Sequence, residues 1–72
     1  MSRSTLIEKL QDEYAMLVIN CARLNNFIVS VKNGTIKSYN SIDKLCTQYD
    51  AMVEYKKALL SRIEELYADE NY

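Results

Sequence analysis

Histidine, proline and tryptophan are absent from the 72 residues, and glycine occurs once. Without histidine, the Ser-His and Cys-His arrangements of nucleophilic catalysis are excluded, and so are the usual zinc sites. The two cysteines, Cys21 and Cys46, form no CxxC pair. A chain with no proline and a single glycine also lacks the turn residues of a sheet-rich fold. Excess charge is missing too: nine Lys and Arg face ten Asp and Glu, a net charge of -1. That balance gives no general pull toward phosphate backbones, and nucleic acid is not an expected partner. No stretch approaches the roughly 18 apolar residues needed to span a bilayer, and the start, Met1 to Thr5, leads into a charged helix and not a signal-peptide core. The expectation is a chain of the cytoplasm with no membrane partner.

What remains is apolar (49%) and charged (26%), too hydrophobic for intrinsic disorder and too short for a second domain. Steps of three and four pick out Ile7, Leu10, Tyr14, Leu17, Cys21, Leu24, Ile28 and Val31, an unbroken heptad seam. The alternation returns through Ile42, Leu45, Tyr49, Met52, Lys56, Leu59, Ile63 and Leu66, where only Lys56 is not apolar. Between the seams, residues 32–41 hold the only glycine, Gly34, among Asn, Ser and Thr, a composition suited to ending one helix and capping another. The pattern predicts one all-α domain over residues 1–72, with a helix over about 5–32, a loop over about 33–40 and a second helix over about 41–69. Thr5 and Glu8 have the spacing of a capping box for the first helix, and either Ser38 or Ser41 suits the start of the second.

So short a connection makes the helices antiparallel neighbours, a two-helix hairpin with its seams folded on one another. That register sets Cys21 by Met52, Leu17 by Lys56 and Tyr14 by Leu59. Cys46 is then about 9 Å along the axis from Cys21, beyond disulfide reach.

A lone hairpin of this size buries little for the entropy that folding costs. Second rows widen the apolar stripes: Ala15, Ile19 and Ala22 on the first helix, Ala51, Ala58 and Leu60 on the second. These six are the expected contacts of a homo-oligomer, in its simplest form a dimeric four-helix bundle.

Leu10-Gln11-Asp12-Glu13-Tyr14, Arg23-Leu24 with Phe27-Ile28, and Gln48 to Met52 with Tyr55, Leu59, Arg62 and Ile63 resemble a family of short bacteriophage proteins named after a member from the crAss-like phages. The resemblance spans both helices and implies a phage accessory protein of hairpin fold, present in the bacterial host cytoplasm. Its architecture is also similar to phage proteins that sequester the cyclic nucleotide messengers of bacterial immunity, such as those of CBASS and Thoeris systems.

Chemistry on the chain itself favours binding over catalysis. The acid pairs Asp50 with Glu54 and Glu8 with Asp12 lack companion ligands, so neither a metal nor another cofactor is expected. Six tyrosines are an unusual load. Tyr14 and Tyr49 fall on the seams, whereas Tyr55 lies beside Lys56 on the row of Arg62, where a ring and two cations suit a base and its phosphates. Lys56, Tyr55, Arg62 and Tyr14 are therefore the expected ligand-binding residues, with Tyr14 adding a hydroxyl from the facing helix. Two functions follow: sequestration of a small anionic ligand such as a cyclic nucleotide, or a protein-interaction module that docks on and inhibits a host or phage protein.

Overall fold

A computed structural model describes residues 2–70, which form two helices, α1 (Arg3–Lys32) and α2 (Ile42–Glu70), packed as an antiparallel hairpin. The molecule is a rod of 53 × 17 × 15 Å. Tyr72, for which the sequence suggests no role, lies outside the described residues.

Three helix ends have a local chemical cause. Ser2 caps α1: its hydroxyl accepts the Thr5 amide at 3.2 Å and shares a 2.8 Å hydrogen bond with the Thr5 hydroxyl. The helix therefore begins at Arg3, two residues ahead of the expected start. Thr5 serves inside the first turn, because Ser2 stands three residues before it with the same capping chemistry. At the other end Asn33 is the cap and Gly34 takes φ +75, while the amides of Gly34 and Thr35 return to the carbonyls of Val31 and Ser30 at 3.1 and 2.9 Å. This is a Schellman ending, and the left-handed residue it needs is the chain's one glycine. Ser41, not Ser38, caps α2, since its hydroxyl accepts the Lys44 amide at 3.3 Å. Ser38 closes the turn before it by accepting the Asn40 amide at 3.1 Å.

All sixteen seam positions are buried or half-buried. Leu59, 1% exposed, is the centre of a cluster with Leu10, Leu17, Cys21 and Ile63, against which Tyr14, Tyr49, Met52 and Leu66 pack. Cys21 is buried, Cys46 is half-buried, and both are free thiols. Lys56 is half-buried in the seam and, among the described residues, has neither a hydrogen bond nor an ion pair. A lysine in a half-buried position can lay its aliphatic stem along the apolar layer and keep its ammonium in water.

One expectation needs correction. By mean hydropathy α1 does meet the length and composition of a membrane span: an 18-residue window reaches 1.3, of which 17% is buried within the hairpin. The apolar residues of α1 are spread around the helix and interrupted by Asn, so its hydropathy shows in an average over the window and not in any one run. The same spread leaves Met16, Val18, Ile19 and Val29 exposed after α2 has covered the seam.

Two substitutions test this layering in thermal melts followed by helical circular dichroism. Leu59→Ala removes the most buried side chain and is expected to cost about 2–5 kcal/mol, enough to abolish a cooperative transition in so small a core. Lys56→Leu completes the apolar seam and should stabilise the hairpin by about 1 kcal/mol.

Candidate functional site

Packing two antiparallel helices along one seam creates two edges, and a hydrogen bond between the helices marks each. On the first, Gln11 donates its side-chain amide to the Tyr67 hydroxyl at 2.7 Å. On the second, Tyr55 donates its hydroxyl to the Glu13 carboxylate. Steps of seven residues keep a side chain on its edge. Val18 and Asn25 therefore follow Gln11, and Leu60, Val53 and Cys46 follow Tyr67, along what is termed the Val18 edge. Asn20 and Phe27 follow Glu13, with Gln48 and Arg62 flanking Tyr55, along the Tyr55 edge.

The residues expected from sequence are distributed by this geometry in a definite way. Tyr55 and Arg62 share the second edge, close enough for the guanidinium charge to act on the phenol. Tyr14 packs against the core cluster, and Lys56 stays in the seam, about 100° around α2 from Tyr55. The six oligomer-contact candidates are all exposed but do not form one patch. Ala15 and Ala22 border the Val18 edge with Leu60, and Ile19 lies one step further out. Ala51 and Ala58, each four residues before a member of the other edge, border Tyr55 and Arg62.

Glu13 is the residue that sequence reasoning did not place in the site. The signal for it was present: the register that sets Leu17 by Lys56 sets residue 13 beside residue 55 on the same flank. Its carboxylate engages Tyr55 and so holds a ring that is 47% exposed in a fixed position. Of the acids considered for metals, Glu54 pairs with Lys57 at 3.3 Å, the one ion pair among the described residues. Among those residues there is also no cavity.

The same contact raises the Tyr55 pKa above its ordinary 10.0. The hydrogen bond to Glu13 is the largest cause, followed by partial burial and the nearby negative charge, with Arg62 acting in the opposite direction. Because the folded state holds this proton more tightly, the linked stability is fully present below pH 10 and is lost as pH rises through the raised value.

Fold and faces together define a class: a small helical hairpin that presents edges instead of a cavity. More particularly, the chain belongs to the Sequestin family, whose model matches residues 4–65. That name fits a sequestering role, one of binding and not of catalysis. No curated protein and no solved structure matches the chain.

Titration of tyrosinate absorbance checks the Tyr55 contact. Tyr55 of the native chain should ionise above 10.0, and Glu13→Gln should lower its midpoint without loss of helix. An unchanged titration in Glu13→Gln would mean that the contact does not persist in solution.

Proposed function

We propose that the chain is a phage-encoded, non-catalytic sequestering protein whose Tyr55 edge takes up a small anionic ligand, a cyclic nucleotide messenger of bacterial immunity. The observation that carries this reading is the meeting of an exposed aromatic ring, a carboxylate and a guanidinium on one edge of the hairpin. A nucleotide presents the three complementary features: a base face for Tyr55, amino or hydroxyl donors for Glu13, and a phosphate for Arg62. Lys56 contributes positive charge from the neighbouring layer. Family membership supports sequestration, and the resemblance to short phage proteins supports the origin. With no cavity among the described residues, retention of a ligand calls for a second surface closing over it, a role that a further copy of the chain would fill on this reading.

The exposed apolar residues Met16, Val18, Ile19, Val29 and Leu60 favour a second reading, a module that docks on a host or phage protein. A thermal-shift screen against cyclic mono-, di- and trinucleotides and cyclic ADP-ribose isomers separates the two. A ligand at about 100 times its dissociation constant should stabilise the fold by roughly 2.7 kcal/mol, a shift of many degrees for so small a domain. Tyr55→Ala and Arg62→Ala should each remove the shift while leaving the unliganded melt near that of the native chain. If no nucleotide moves the transition and a host protein co-purifies in stoichiometric amount, docking is the function.

A further inference from the structure

Acidic residues are missing from the middle of the chain. None occurs from Tyr14 to Ile42, and Asp43 is the one acid between Glu13 and Asp50. The hairpin turns this stretch back on itself at its loop end, so residues 29–44 bring Lys32, Lys37 and Lys44 together with Asp43 alone, a net charge of +2. The other residues carry a net -3, with Glu64, Glu65, Asp69 and Glu70 toward the far end of α2. The rod is therefore polarised along its 53 Å axis, positive at the loop tip and negative at the opposite end. Asp43 stands in the first turn of α2, where it complements the positive end of that helix's own dipole.

The same tip carries apolar groups that nothing within the hairpin covers. Tyr39 is 102% exposed, Ile36 is 43% exposed three residues before it, and Val29, in the last turn of α1, is 46% exposed. The backbone holds these residues in place. The amides of Thr35 and Ile36 both return to the Ser30 carbonyl, at 2.9 and 3.3 Å, and Tyr39 is the middle residue of the turn that Ser38 closes on Asn40. Lys32, Lys37 and Lys44 are exposed as well, and among the described residues none of their ammonium groups has a hydrogen bond or an ion pair.

Tyrosine and isoleucine among lysines are the composition suited to a membrane–water interface. There a tyrosine ring sits at headgroup depth with its hydroxyl in water, and a lysine stem lies along apolar surface with its ammonium near phosphate. A nucleic-acid strand would make no use of Ile36, and the blunt 17 × 15 Å end has no cavity or groove among the described residues to follow such a strand. We propose that the loop tip is a docking surface for an anionic lipid bilayer, with Ile36 and Tyr39 set into the headgroup layer and Lys32, Lys37 and Lys44 on lipid phosphates. The acidic far end then points away from the negative surface, so the rod's own charge sets its orientation. The expectation of no membrane partner came from the test for a span, and docking by a tip needs none. Tyr55 lies eleven residues along α2 from Lys44, about 16 Å back from the tip, so ligand capture on the Tyr55 edge and docking use different surfaces.

Flotation with lipid vesicles, with circular dichroism on every variant, is the test. The native chain should float with vesicles of mixed phosphatidylcholine and phosphatidylglycerol and stay behind with phosphatidylcholine alone. It should be released as salt rises from about 0.1 M to about 1 M, which shortens the Debye length from about 10 Å to about 3 Å. Lys37→Gln and Lys44→Gln should each weaken partitioning about fivefold, and Tyr39→Ser roughly tenfold, all with native helix content. Lys57→Gln makes the same change in net charge at an exposed position on α2 away from the tip, and should leave partitioning unchanged. Equal losses from Lys57→Gln and Lys37→Gln would reduce the effect to overall charge and overturn the tip. Binding as strong to phosphatidylcholine alone, unmoved by Tyr39→Ser, would assign the membrane to the exposed apolar residues of α1 and overturn the tip as well. No flotation with either vesicle overturns the bilayer, and a stoichiometric host protein lost with Tyr39→Ser would then make the tip a protein contact.

Discussion

A single line of contact between two long helices is the constraint on which the rest of this molecule depends. Sixteen seam residues are buried or half-buried, and among the described residues Leu59, 1% exposed, is the one large side chain that is fully enclosed. One helix can cover only a narrow stripe of another, so each retains most of its circumference. A sequence that is 49% apolar cannot hide that fraction along one seam. The surplus emerges as organised edges, and three of the helix ends are secured locally, by Ser2, Gly34 and Ser41.

The fold was legible in the sequence to the level of individual seam residues, because heptad spacing is a direct geometric consequence of helix pitch. Every position from Ile7 to Val31 and from Ile42 to Leu66 that the spacing selects is at least half-buried. Caps were less legible, since Ser and Thr satisfy an orphan amide with the same chemistry. Thr5 with Glu8 has the familiar spacing, yet Ser2 reaches the first turn earlier, and Ser38 and Ser41 differ only in which of their neighbours turn. Hydropathy misled in another way, because the apolar content of α1 lies in residues dispersed among Asn and Arg, which is evident only when averaged over the helix.

The site was legible in part. Tyr55 and Arg62 were readable as one row, being seven residues apart on one helix. Which edge they occupy, and that Glu13 meets them there, depends on the direction in which the partner helix runs and on which side each flank falls. Rows on α1 and α2 that each border the seam can lie on opposite flanks of the hairpin, as Ala22 and Ala58 do. Sequence periodicity reports the distance of a residue from the seam far more clearly than the side on which it lies, and this is why six plausible contact residues resolve into two separate surfaces.

A carboxylate within an anion-binding face has a physical rationale on the proposed function. Arg62 alone would attract any phosphate, including the abundant nucleotides of a cell, and a sequestering protein saturated by those would remove no messenger. Glu13 opposes indiscriminate anions and favours a ligand that brings hydrogen-bond donors together with its phosphate. It also fixes Tyr55 before the ligand arrives, so less side-chain entropy is lost on binding. Sequestration without turnover works by stoichiometry: the protein must outnumber its ligand and bind it below the ligand's working concentration. On that function, a chain of 72 residues built around one seam would meet the demand with little protein per site.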